Sequence, residues 1–158
     1  MANEPSLHIP YLYNYAGQPW KTQKRIRTLL NEWFRNDLMG VPGDEDGGGM
    51  TAFVVFSMMG FYPVTPGMPS YNIGSPVFEN VIIHLENGKT FQIEARNAST
   101  QNKYIQSASL NGKTWNEPWF SHKELSNGGI LVLEMGPKAN LTWGSSENDA
   151  PPSEANSH

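Results

Sequence analysis

The sequence contains no cysteine, and its other absences narrow the class of protein further. Without cysteine there is no disulfide framework, no zinc–thiolate site and no cysteine nucleophile. There is no basic stripe, and the net charge of −4 gives no electrostatic reason to bind nucleic acid. No apolar run approaches the roughly 18 residues that a membrane helix needs, and the first residues do not resemble a secretion signal. We therefore predict no nucleic acid and no membrane as partners, and find no targeting signal.

The residues that are present indicate a globular protein. Of the 158 residues, 38% are hydrophobic and 16% are charged, which suits an ordinary domain or the end of a larger one. Aromatic residues make up 11% of the chain. They either fill a core or stack on the C–H faces of sugars, and composition alone leaves both interpretations open.

Two helices are predicted in the first part of the chain. Apolar side chains recur at helical spacing at Ile26, Leu29, Leu30, Trp33 and Phe34. Pro19 suits a first turn and Gly40 a stop, which predicts a helix over residues 19–38. An apolar segment predicts a second helix over residues 47–59, ended by Gly60. Because this helix is apolar on nearly all sides, we expect it to be buried on nearly all sides. A chain of this length has too few other elements to cover it, so part of the helix is expected to stay exposed here.

The pattern then changes to the alternation that is typical of strands. It predicts strands over residues 81–85 and 91–95, joined by a tight turn at Asn87-Gly88. A strand over residues 104–110 turns at Asn111-Gly112, and an apolar run over residues 129–135 suits a buried strand. We therefore expect an α+β fold, with helices followed by a small antiparallel β-sheet region. Residues 144–158 have the polar, proline-containing composition of a disordered tail.

The segment best suited to chemistry is an acidic loop, Asp44-Glu45-Asp46, which lies between glycines just before the second helix. Glycine lets the backbone approach a ligand, and a helix N-terminus favours ionised carboxylates, which can act as a general base toward water. In an extended loop, Asp44 and Asp46 point the same way and Glu45 points away. Two structural alternatives stay open. Asp46 caps the helix while Asp44 closes a turn, or the segment begins a calcium loop that lacks the last glutamate of an EF-hand.

A second segment, residues 3–20, combines polar ligand types with a dense aromatic run. It contains Asn3, Glu4 and His8. The spacing of His8, Tyr11 and Tyr15 also fits a packed helix face, so His8 is either a packed residue or a ligand.

Together these segments resemble glycoside hydrolase family 92, a family of calcium-dependent α-mannosidases. The resemblance rests on Glu-Pro-Ser-x-His-Ile-Pro-Tyr-Leu-Tyr-Asn at residues 4–14, Pro-Gly-Asp-Glu-Asp-Gly-Gly at residues 42–48 and Phe-Ser-Met-Met-Gly-Phe-Tyr-Pro-Val at residues 56–64. Shorter matches lie at residues 71–76, 91–95 and 109–112. The resemblance implies the terminal helices of an (α/α)₆ catalytic barrel in residues 1–66 and a β-rich C-terminal region in residues 67–143, before the tail at 144–158.

The resemblance also implies an activity: exo-acting removal of α-linked mannose with inversion. It assigns Asp46 as the first choice of general base and Asp44 as the second. It further implies a calcium ion bound by Asn3 and Glu4, a substrate contact from His8 and mannose-containing glycans as substrates. The family's general acid, a glutamate in a Glu-Gly-Asn-Ala-Trp-like motif, has no counterpart in this sequence.

The β-sandwich and most barrel helices of the family have no counterpart here either. We therefore expect these residues to belong to a longer chain, whose N-terminal β-sandwich and barrel helices are their partners. Alone, they are expected to be inactive, to bind calcium weakly or not at all, and to form a homo-oligomer. The full-length protein is expected to be secreted or periplasmic in a bacterium. The alternative is a non-catalytic module, in which the β-region binds carbohydrate or supports a neighbour.

Overall fold

The structure, a computed structural model, describes residues 3–43 and 45–153. Its helices are α1 (Leu12–Tyr15), α2 (Pro19–Glu32), α3 (Gly49–Met59) and α4 (His122–Asn127), with short 3₁₀ turns at Glu4–Ser6, Ile9–Tyr11 and Glu147–Asp149. Its strands are β1 (Phe61–Tyr62), β2 (Ser70–Ile73), β3 (Asn80–His84), β4 (Thr90–Arg96), β5 (Tyr104–Leu110), β6 (Lys113–Thr114), β7 (Trp119–Ser121) and β8 (Gly129–Gly136). The predicted α+β class is confirmed. Within the described ranges, no helix is both long and apolar enough to cross a membrane.

Helix α2 begins at the predicted proline but ends at Glu32, earlier than the predicted residue 38. Trp33, predicted to face the core, is 51% exposed, so burial does not hold a further helical turn in place. The chain instead turns back, and the Arg35 N–H donates to the Gly40 carbonyl at 3.0 Å. Arg27, which is not one of the apolar residues that define the predicted face, is buried as well. The helix therefore packs on two sides, and the sequence pattern shows only one of them.

Helix α3 ends at Gly60 as predicted. Gly60 has a φ of 105°, and its N–H donates to the carbonyls of Phe56 and Ser57. The predicted shortage of partners for this helix is visible in the chain, because Val55 is 55% exposed while Phe53 is fully buried. One face of α3 packs inside the molecule and the opposite face presents apolar side chains to solvent.

The strands form two sheets within the described residues. The larger has the order β3-β4-β8-β5-β6, and the smaller has the order β1-β2-β7. The predicted strands at residues 81–85, 91–95, 104–110 and 129–135 correspond to β3, β4, β5 and β8. The prediction of an antiparallel sheet is wrong at one pairing, since β8 runs parallel to β4 and antiparallel to β5. The long connection from β4 to β8 contains β5 and α4, which gives the chain room for this crossover.

The buried apolar side chains form two clusters. One fills the space between the two sheets, where the Phe91 and Phe120 rings stack with centroids 5.3 Å apart. The other joins the N-terminal segment to α2 and α3 and includes Tyr11, Ile26 and Phe53. This second cluster fixes the start of the chain against α3, the helix that follows the acidic loop.

Residues 144–153 do not have the predicted disorder. The Ser146 side chain accepts from the Asn148 N–H, and the Asp149 carboxylate accepts from the Ser146 N–H, which caps the last 3₁₀ turn. Gly144 is buried, and a Cβ built on it would lie 3.1 Å from the Pro19 ring. The polar residues that suggest disorder make local caps here, and the segment packs on the start of α2. Residues 154–158 lie outside the described residues.

Candidate active site

The acidic loop reaches α3 through a turn of left-handed backbone. Asp46, Gly47 and Gly48 have φ values of 41°, 67° and 98°. Glycine adopts this conformation without steric cost, whereas for aspartate it costs about 1 kcal/mol. Non-glycine residues held in this region cluster at functional sites. The strain at Asp46 therefore supports a functional role for its side chain. Asp44, the second predicted base, lies outside the described residues.

The helix cap comes from Glu45, not from Asp46. The Thr51 hydroxyl donates to Glu45 Oε1 at 2.6 Å, and the Thr51 N–H donates to both carboxylate oxygens at 3.2 and 3.3 Å. A carboxylate in this place satisfies a free N–H and complements the positive end of the helix dipole. The alternative in which the Asp46 side chain caps α3 is therefore wrong.

The Asp46 carboxylate is left available to solvent. The residue is exposed, and across residues 3–43 and 45–153 its side chain makes no hydrogen bond or ion pair. The backbone carbonyl of Asp46 accepts from the Gly49 N–H at 3.4 Å, which closes the turn. A carboxylate that is held by its backbone and not by side-chain partners can accept a proton from a water molecule.

The N-terminal segment brings Glu4 to the first turn of α3. A Cβ built on Gly49 would lie 3.0 Å from Glu4 Cγ and 3.1 Å from Glu4 Oε1, so a larger residue there would crowd this carboxylate. Glu4 also lies near Tyr62, where burial, followed by the negative charge of Glu4, raises the pKa of the phenol. The structure thus places one predicted calcium ligand beside the helix that carries the acidic loop.

Asn3 and His8 lie in the same segment as Glu4. The Asn3 carbonyl accepts from the N–H and hydroxyl of Ser6 at 3.0 and 2.7 Å. His8 is partly exposed, and its carbonyl accepts from the Tyr11 N–H at 2.9 Å. In the part of the chain that the structure describes, neither side chain makes a hydrogen bond to the acidic loop. Their assigned roles stay predictions.

Tyr11 fixes the N-terminal segment against α3. Its hydroxyl lies 3.0 Å from Ser57 Oγ, its ring stacks on Tyr62 with centroids 5.4 Å apart, and its edge faces Phe53. Burial raises the pKa of the Tyr11 phenol, so the group stays neutral and keeps its hydrogen bond. The sequence showed an aromatic run here but not which of its members is the anchor.

Asn14 holds the other end of the segment to the β-region. Its amide nitrogen donates to Asn72 Oδ1 at 3.1 Å and to the carbonyls of Ile73 and Pro118 at 3.0 Å. The residue is fully buried. These partners lie far along the chain, so no local pattern predicts them, although a polar residue amid aromatic ones is a signal to examine.

The described residues supply part of a metal site at most. Among them, no group of three His, Asp or Glu side chains is arranged to hold a metal ion. Asn3 and Glu4 offer oxygen donors, the type that calcium prefers, but calcium takes about six to eight of them. The donor chemistry fits calcium, and further ligands would have to come from elsewhere.

Known proteins resemble this chain in sequence and in fold. Residues 1–137 match the glycosyl hydrolase family 92 catalytic domain. A fungal relative, an uncharacterized secreted glycosidase of Arthroderma benhamiae, is 43% identical over 97% of this chain and 20% of its own length. A family GH92 inverting mannosidase of Bacteroides thetaiotaomicron is 44% identical with a TM-score of 0.91, over 97% of this chain and 21% of that one. A GH92 α-mannosidase of the same bacterium, solved with mannoimidazole, is 37% identical with a TM-score of 0.92, over 97% of this chain and 20% of that one.

The chain belongs to glycosyl hydrolase family 92. It spans about a fifth of the length of these relatives, which is consistent with a fragment of a longer chain.

Proposed function

We propose that these residues form the C-terminal part of a calcium-dependent, inverting exo-α-mannosidase and carry its general-base loop. The observation that supports this most directly is Asp46, an exposed carboxylate on strained left-handed backbone at the start of a helix. The similarity to an inverting mannosidase supports the stereochemistry, and the similarity to a secreted glycosidase supports a secreted protein.

In this proposal Asp46 removes a proton from a water molecule as that water attacks the anomeric carbon of a terminal mannose. Inversion requires a second carboxyl group, about 6.5–9.5 Å away, which protonates the leaving oxygen from the other face of the sugar. That acid is expected from another part of the longer chain. Asp44 would orient the same water, and His8 would contact the bound sugar.

Calcium has a supporting role in the proposal. Asn3 and Glu4 would contribute oxygen ligands, and the bound ion would supply a positive charge that holds the hydroxyl groups of the sugar. Glu4 is suited to this because Gly49 leaves space for its carboxylate at the first turn of α3. The isolated residues would bind calcium weakly or not at all, since they hold only part of the shell.

The exposed apolar face of α3 supports a larger assembly. Val55 is 55% exposed, and Trp33 on the neighbouring segment is 51% exposed. We propose that the barrel helices of the longer chain cover this face. In the 158 residues alone, a second copy would cover it, because large exposed apolar patches favour association.

The test is Asp46→Gly in a longer chain that includes the upstream residues. Glycine removes the carboxylate and relieves the left-handed strain, so kcat on an aryl α-mannoside should fall at least about 100-fold while stability stays equal or rises by about 1 kcal/mol. Asp37→Asn is the matched control, since this exposed carboxylate pairs with Arg35 on the surface and its loss should leave kcat unchanged.

A near-normal kcat in Asp46→Gly would contradict the assignment and favour a supporting module instead. Light scattering on the 158-residue chain, measured beside the assay, tests the proposed assembly. If this chain is a monomer, α3 needs no cover and the proposed assembly is contradicted.

A further inference from the structure

A polar groove lies on the outer face of α2, and the described residues that line it include none from the acidic loop. It has a volume of about 410 Å³. Its walls combine cationic, aromatic and hydroxyl side chains, contributed by Tyr13, Trp20, Lys21, Lys24, Arg25 and Thr28. The last four occupy positions i, i+3, i+4 and i+7 of the helix, so they form one continuous stripe.

The positive charges of this stripe lie close together on one side of α2. Within the described residues Lys21, Lys24 and Arg25 make no salt bridge, although the whole chain has a net charge of −4. Like charges at this spacing destabilise a helix by about 0.2–0.5 kcal/mol per pair. The helix dipole adds to the cost at Lys21, because this cation lies in the first turn of α2, where no acidic residue offsets it. A bound anion would remove this repulsion.

Lys21 is also held in place before any ligand arrives. Its ammonium lies 5.2 Å from the Trp20 ring centroid and 5.7 Å from the Tyr13 ring centroid. Contacts with two aromatic rings favour this position of the ammonium, which lowers the entropy lost on binding. The rings are partly exposed and line the groove together with the Thr28 hydroxyl.

We propose that this groove binds a saccharide that carries a phosphate ester. Three cations suit one phosphate group, which carries about −1.5 to −2 charges at neutral pH. A site for a lipid surface typically has more cations, roughly four to eight. The volume accommodates a sugar ring beside the phosphate, and aromatic rings with a hydroxyl suit the sugar. The choice of a saccharide rests on the proposed function, whereas the anionic group follows from the charges.

The experiment is calorimetric titration of the 158-residue chain with mannose 6-phosphate, with mannose and with inorganic phosphate. The sugar phosphate should bind, and each of the other two at least about tenfold more weakly, a difference of about 1.4 kcal/mol. The Lys21→Ala/Lys24→Ala double variant should lose at least about tenfold in affinity. The matched control is Lys113→Ala/Lys138→Ala, which removes the same charge from exposed positions elsewhere.

Three results would overturn the proposal: no binding at millimolar sugar phosphate, equal binding of inorganic phosphate, or an equal loss in both double variants. Circular dichroism shows whether each variant is folded, and the replaced lysines lie on the surface. Asp46→Gly should bind mannose 6-phosphate like the unaltered chain. Failure of the general-base assignment therefore leaves the anionic site intact, and kcat and the titration distinguish the two failures.

Discussion

Replacing Arg27 tests how the helices are joined to the β-region. Its guanidinium is buried, and burial lowers its pKa. Its Nη1 donates to the Pro76 carbonyl at 2.6 Å, and its Nη2 donates to the Ser99 carbonyl at 2.7 Å. One side chain on α2 thus holds the loop after β2 and the loop after β4. When the arginine is removed, the carbonyl of the buried Pro76 loses its donor, whereas Ser99 is exposed and open to water.

The expected loss follows from these two bonds. A hydrogen bond from a charged donor contributes about 1.5–3 kcal/mol, and removing the buried charge offsets part of the total. Arg27→Met keeps most of the side-chain volume and should lower the free energy of unfolding by about 2–4 kcal/mol. With a urea m-value of about 2 kcal/mol/M, the unfolding midpoint should fall by about 1–2 M.

The control for this prediction is Arg35→Met. Arg35 is exposed and pairs with Asp37 at 3.1 Å on the surface, a contact that contributes about 0–1 kcal/mol. Urea unfolding followed by tryptophan fluorescence compares the two variants directly. If Arg27→Met unfolds at the same urea concentration as Arg35→Met, the buried guanidinium does not stabilise the junction.

Two further predictions concern Gly60 and Tyr11. Gly60→Ala should lose more than about 2 kcal/mol of stability, because a Cβ there would lie 2.9 Å from three Pro76 ring carbons. The control is Gly88→Ala, where φ is also positive at 78° but a Cβ would meet nothing within 4 Å. This variant should lose only about 1 kcal/mol. Equal losses in chemical unfolding would contradict the steric argument. Burial raises the pKa of Tyr11, so only the unfolded chain releases the phenol proton near pH 10. The free energy of unfolding should therefore fall as the pH rises above about 10, by up to about 1.4 kcal/mol per pH unit. Tyr11→Phe should flatten that alkaline decline and Tyr13→Phe should not; identical slopes would show that Tyr11 ionises freely in the folded state.

Sequence signals predicted the elements whose geometry is decided locally. The bounds of β5 match the alternation over residues 104–110, and the hairpin between β3 and β4 forms at Asn87-Gly88. Gly60 ends α3 because the left-handed backbone there favours glycine. Short elements were missed even where a local signal existed, since Ser121 and Glu124 form a capping box that starts α4.

Features decided by distant contacts were not predicted from the sequence. The parallel pairing of β8 with β4 depends on the path of all the chain between them. Asn14 is held by Pro118, a residue 104 positions later, and no periodicity encodes such a contact. At the site, the glycines around the acidic loop made the loop itself recognisable from the sequence. The separate roles of its acids were not predicted, because the backbone conformation decides that Glu45 bonds to Thr51 while Asp46 stays exposed.

The position of β8 in the sheet imposes an order on folding during synthesis. Among the described strands β8 comes last in the sequence, yet it lies in the middle of its sheet, between β4 and β5. Until residues 129–136 leave the ribosome, the β3–β4 and β5–β6 hairpins are complete but cannot be joined. Their facing edges then expose unpaired N–H and C=O groups, which are templates for wrong pairing. The nascent chain therefore exposes these edges until β8 has been synthesised. A truncation before residue 129 leaves two separate hairpins rather than a narrower sheet.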